Sequence, residues 1–192
     1  MDAQLESVRI IENGQVRTIV EALFRYHNSR AVMHYILPKK GWDVDLELIV
    51  EWMEKGKLLK LEIPTCLQGQ NLCETAYGVQ TYESSERERV MQRWCGIFEE
   101  ERDRAVTCLN DGCYGGDFRD GTMGISLIHS AAYSAHPIED RILLDQDRRI
   151  SCMDQGERSF CFRLRGGSYK QRMEDVTSAA VVLQEKTLAV AF

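Results

Sequence analysis

From Val44 to Trp52 the chain alternates residue by residue. Val44, Leu46, Leu48, Val50 and Trp52 fall on one side, and Asp45, Glu47, Ile49 and Glu51 on the other. A strand points successive side chains to opposite faces, so this pattern predicts a strand with one buried face. Glu54-Lys55-Gly56-Lys57 then reads as a turn. Beyond it Leu59, Leu61 and Ile63 alternate with Lys60 and Glu62, so residues 44–63 predict a β-hairpin. Pro64 closes the second strand because it has no N–H to give to a ladder.

The same period places strands at Val16 to Phe24 and Ala31 to Leu37, led in by the turn Glu12-Asn13-Gly14. Further strands are expected at Thr75 to Thr81, Ala105 to Leu109, Gly124 to His129 and Ser159 to Arg165. Glu157 and Arg158, opening the last of these, point to opposite faces and are expected to pair across strands. Segment 83–104 is charged and poorly periodic, and is read as a long connection. Asp117 to Gly121 and Arg165 to Ser168 read as turns on their Asp-Gly and Gly-Gly pairs. Residues 170–192 carry two patterns: a helical stripe of Val176, Ala179, Ala180 and Leu183, and a strand-like TLAVAF ending. With no internal repeat and no linker, residues 1–192 are expected to form a single all-β domain, a β-sandwich rather than a small barrel. The abrupt apolar ending suggests a piece of a larger protein.

Composition narrows the function classes. The 192 residues are 44% hydrophobic and 28% charged, with three prolines, as in ordinary globular chains. A net charge of −6 argues against nucleic acid or an anionic membrane as partner. No apolar run reaches the ~20 residues needed to span a bilayer. The first residues lack the basic start and apolar stretch of a signal peptide, so a cytoplasmic location is expected. Cys66, Cys73, Cys95, Cys108, Cys113, Cys152 and Cys161 are odd in number and contain no C-x-x-C pair, which favours reduced, apolar thiols. Cys108, Cys113, His129 and His136 form the single weak metal-ligand candidate, with irregular spacing.

Three loop words separate the later strands: LNDGCYG from Leu109, HSAAYSAHPIEDR from His129 and MDQGERSF from Met153. Before them come VRIIENGQVRTIVEALFR (8–25), YILPKKGWDVDLELIVEWMEKGKLLKLEIPT (35–65) and ETAYGVQTYESSERERVMQRWC (74–95). In this order the segments resemble the C-terminal β-domain of the retaining α-mannosidases of glycoside hydrolase family thirty-eight, particularly its bacterial branch; Ala131 is a mild departure. The resemblance implies a galactose-mutarotase-like supersandwich. It also implies a parent enzyme that cleaves α-mannosides with a carboxylate nucleophile and a divalent metal, usually zinc, in a separate catalytic domain. The family's His-x-Asp and His-His-Asp motifs are missing: His27, His34, His129 and His136 are each followed by other residues. No catalytic or metal residue is therefore assigned in this segment, and by itself it is expected to be inactive.

What the resemblance leaves to this segment is packing against the catalytic domain and the rim of a cleft that takes a mannose-containing oligosaccharide. Asn110 and Asp111 are the first rim candidates, since a polar turn at the matching position offers groups to sugar hydroxyls; the same residues equally make an Asx-type turn for backbone reasons. Tyr77, beside Gly78, is the third. The alternative function is a stand-alone, non-catalytic carbohydrate-binding β-sandwich. For that reading Trp42 and Trp94, both near turns, are the candidate exposed aromatics, while Trp52 falls on the apolar face of its strand. An exposed apolar patch where a partner sat would favour the enzyme domain.

Overall fold

The computed structural model describes residues 3–132 and 151–185. Thirteen strands and one helix are present among them: β1 (Gln4–Asn13), β2 (Arg17–Tyr26), β3 (Ser29–Pro38), β4 (Val44–Trp52), β5 (Leu58–Pro64), β6 (Gln70–Thr75), β7 (Gly78–Tyr82), β8 (Ser85–Val90), β9 (Trp94–Glu99), β10 (Arg104–Asn110), β11 (Gly115–Arg119), β12 (Thr122–His129), β13 (Gly156–Gly167) and α1 (Tyr169–Gln184). They build two antiparallel sheets, one of nine strands in the order β1-β2-β3-β4-β13-β10-β9-β6-β7 and one of four in the order β5-β12-β11-β8. The fold is an all-β sandwich with a helix laid on its outside.

The main core lies between the sheets. Met33, Leu48, Val50, Cys108 and Phe162 from the large sheet meet Ile63, Phe118, Met123 and Ile125 from the small one. The large sheet is also covered on its other face. There α1 lays Val176 and Ala180 on Leu72, Trp94, Phe98, Ala105 and Leu109. Of the two patterns carried by residues 170–192, the helical stripe is the one adopted up to Gln184. Ser168 caps it, its hydroxyl accepting from the Gln171 N–H at 3.2 Å. TLAVAF lies outside the described residues.

Several expected elements are corrected. Residues 44–63 are not a hairpin, because β4 pairs with β3 and β13 whereas β5 pairs with β12. Alternation reports a buried face, not which strand lies alongside. The segment between β4 and β5 passes from one sheet to the other, and Ser130 holds it. The Ser130 hydroxyl accepts from the Trp52 indole N–H at 3.1 Å, and its backbone N–H and C=O bond Lys57 and Gly56 at 2.9 and 2.6 Å. Segment 83–104 contains β8, β9 and a 3-10 turn rather than a bare connection. All six residues of β9 are buried, since one face meets the small sheet and the other meets α1, and a strand buried on both faces shows no alternation. Thr75 to Thr81 is not one strand: Thr75 ends β6, Ala76 and Tyr77 turn, and Gly78 to Thr81 lie in β7. Asp117 to Arg119 belong to β11, and only Asp120-Gly121 turn, both at positive φ as a two-residue hairpin requires. Arg165 to Gly167 continue β13. Arg158 meets Asp154 at 3.8 Å within its own segment instead of pairing across strands. Trp94 is fully buried, whereas Trp52 is core as expected.

Replacing Ser130 by alanine should leave the Trp52 N–H buried without an acceptor and lower stability by about 1–3 kcal/mol, read from the urea midpoint.

Candidate functional site

The three rim candidates share one end of the large sheet. Cys73 aligns with Cys95, and Cys95 with Cys108, so the ends of β6 and β10 and the start of β9 lie level. Glu74, near the end of β6, is buried and grips the segment leading into β9. The Arg93 guanidinium donates to it through Nε at 2.8 Å and through Nη2, and the Arg93 backbone N–H adds a bond at 3.2 Å. This pairing holds the Arg93 side chain still more firmly in its charged form. Asn110 completes the bracket. Its backbone N–H donates to the Arg93 carbonyl at 2.8 Å, and its side-chain amide donates to the Gln92 carbonyl at 2.7 Å.

Asn110 is 1% exposed. Its Oδ1 accepts from the N–H groups of Gly112 and Cys113 at 3.0 and 2.7 Å, so the side chain is committed to the loop and turned away from solvent. Asp111 is exposed, with Oδ1 accepting from the Cys161 N–H at 3.2 Å. Tyr77 stands fully exposed at the bend between β6 and β7, and Tyr114 is exposed on the loop after Asp111. Asp111 and Tyr77 can thus meet a ligand or partner, whereas Asn110 shapes the loop that presents Asp111. The Glu74–Arg93 pair carries no sequence signal, because the two residues lie 19 apart with no motif between them.

Among the described residues no three His, Cys, Asp or Glu side chains converge on one point. Cys108 and Cys113 are buried while His129 is exposed at a strand end, and His136 lies outside the described residues. Burial pushes the Cys113 thiol up to about 12. Cys108 moves in the same direction for the same reason, and Cys73 does so through its contact with Cys95. These are inert protonated core thiols.

Three outcomes follow. Asn110→Ala should destabilise the fold by about 1–3 kcal/mol, whereas Asp111→Ala should change it by no more than about 1 kcal/mol in the same denaturation assay. A thiol reagent at neutral pH should label exposed Cys66 first and reach Cys73, Cys95, Cys108 and Cys113 only on unfolding. The raised native thiols keep their protons after those of the unfolded chain are lost. Stability is therefore full below about pH 9 and falls as pH rises from there towards 12.

Comparison with known proteins matches the geometry to a family. Residues 1–138 match the family described as Glycosyl hydrolases family 38 C-terminal domain. An α-mannosidase from Enterococcus faecalis V583 superposes with a TM-score of 0.73 at 14% identity over 95% of this chain and 24% of that one. A glycosyl hydrolase family 38 protein from Enterococcus faecalis superposes with a TM-score of 0.75 at 15% identity, over 95% of this chain and 25% of that one. The chain thus spans about a quarter of the length of these solved relatives. A search of curated proteins finds no match. The family match covers well over half of the sequence, and the chain belongs to the C-terminal domain family of the family 38 glycosyl hydrolases.

Proposed function

We propose that the chain is the β-sandwich part of a retaining, metal-dependent α-mannosidase, docking a catalytic domain and contributing to the rim of its cleft. The observation that supports this most is a stretch of the large sheet's inner face that no described residue of the small sheet covers. At about 4.8 Å between strands, nine strands span about 38 Å and four only about 14 Å. The excess falls on β1 to β3. There Leu5 pairs with Phe24, Val8 with Ala22 and Ile10 with Val20, so these side chains point to the same face as the core. Leu5, Val8 and Ile10 are nevertheless 52%, 57% and 63% exposed, and Leu37 lies on the same face at 38%. An apolar face continuous with a core is what an interdomain contact leaves when its partner is not counted.

On this reading the catalytic carboxylates and the zinc belong to the catalytic domain, and a mannose-containing oligosaccharide is the substrate of the whole enzyme. Asp111 and Tyr77 are the rim groups this chain offers, since both are exposed at one end of the sheet. Seven cysteines without a disulfide support a reducing, cytoplasmic setting. The exposed apolar flank favours an enzyme domain over the alternative of a stand-alone binding module.

The purified chain should not hydrolyse a chromogenic α-mannoside, with or without added zinc, and should support hydrolysis when co-expressed with a family catalytic domain. Activity of the chain alone would overturn the proposal. Val8→Asp together with Ile10→Asp should abolish co-purification with that domain while shifting the chain's own stability by no more than about 1 kcal/mol, because both residues are already exposed.

A further inference from the structure

The loop between β3 and β4 holds an indole in open solvent. Trp42 is 90% exposed and lines a cavity of about 480 Å³ together with Val16, Ile36, Pro38, Asp45 and Arg163. A second hollow of about 300 Å³ shares Asp43 and Arg163 with the first and runs on towards α1 at Asp175 and Ala179. The two form one trough along the large sheet, running from the β3–β4 loop to Arg163, which pairs with Asp45 on one side and stands level with Leu109 on the other.

Its polar lining is an alternating row of acids and guanidinium groups. Arg163 donates to Asp45 through Nε at 2.5 Å and Nη2 at 2.9 Å. Arg165 donates to Asp43 at 2.9 Å and lies 3.5 Å from Asp175. Arg17, at the Trp42 end, is paired with Glu12 at 3.0 Å. About a third of each side chain in the Asp45–Arg163 pair remains exposed, so acceptor lone pairs and N–H edges stay open to the trough. Paired charges of this kind attract no net ion. They offer acceptors and donors side by side, which neighbouring hydroxyl groups can use together. An exposed indole next to them supplies the flat apolar surface on which the C–H face of a sugar ring packs.

We propose that this trough binds a neutral pyranoside, its ring stacked on Trp42 and its adjacent hydroxyls donating to Asp45 and accepting from Arg163. It would be a holding site for an oligosaccharide. The choice of a mannoside as its natural ligand rests on the function proposed above.

Trp42 can be watched by itself, because Trp52 and Trp94 are 3% and 0% exposed and are shielded from iodide. Iodide quenching of the chain's tryptophan emission should be suppressed by α-linked mannobiose with a millimolar midpoint. Asp45→Asn should raise that midpoint about tenfold. Trp42→Ala should remove the quenchable emission without moving Tm, and should also abolish mannobiose binding read by calorimetry. Protection by maltose or cellobiose but not mannobiose would keep the sugar trough and count against the mannoside reading. No protection by any of the three at about 50 mM, far above the millimolar binding expected, would overturn the proposal. So would protection that survives intact in Asp45→Asn.

Discussion

A wide β-sheet has two faces, and each must be covered by something apolar or left to water. Every main feature of this chain is an answer to that constraint on its nine-stranded sheet. Over β9, β10 and β13 both answers are internal, with the small sheet on one side and α1 on the other. That three-layer zone leaves Trp94, Phe98, Cys108 and Leu109 fully or almost fully buried. Towards β1, among the described residues, the small sheet stops on the inner side while the strands of the large one continue. The chain is thus well packed at one flank and open at the other, and the division follows directly from four strands facing nine.

The crossing between β4 and β5 makes the layering possible. A hairpin there would have kept β5 in the large sheet and left the inner face without its partner. Instead Ser130, at the end of β12, takes the Trp52 indole and the Lys57 and Gly56 backbone groups, so the last turn of one sheet is tied to the first residues of the other. The Lys57 and Gly56 groups are main-chain atoms, which makes the tie insensitive to the turn's own side chains. This is why Glu54-Lys55-Gly56-Lys57 looks like any hairpin turn in the sequence although its strands part company.

What was legible in the sequence divides along the same physical line. Strand β4 could be read because one of its faces is buried and the other wet, so Leu46, Leu48 and Val50 alternate with Asp45, Glu47 and Glu51. Strand β9 could not, because Trp94-Cys95-Gly96-Ile97-Phe98 is apolar throughout and Gly96 is needed where the Phe98 ring and the Val106 carbonyl come within 3 Å of its missing side chain. The helix was half visible, as a stripe of Val176 and Ala180 that meets Trp94 and Leu109. At the candidate site, the loop word around Asn110 was visible but its division of labour was not. Asn110 and Asp111 look alike in sequence, yet strand geometry turns one amide inward to three backbone partners and the other carboxylate outward. The Glu74–Arg93 pair beneath them depends wholly on β6 and β9 being neighbours, which no local pattern encodes.

The open flank also explains how one run of sequence can serve two surfaces. On β1 to β3 the inner side chains, Val8, Ile10 and Val20, are apolar and wait for protein. Their outer neighbours include the hydrogen-bonded row of Arg9, Glu21 and His34, in which bonds from His34 and Arg9 hold the Glu21 carboxyl below its usual range. Asp45 and Arg163 lie on this outer side as well, since Asp45 pairs with Ile36 and Arg163 with Asp45. A catalytic domain seated on the inner face would therefore leave the Trp42 trough open, because the sheet itself stands between them. Period-two alternation forbids either surface from spreading onto the other.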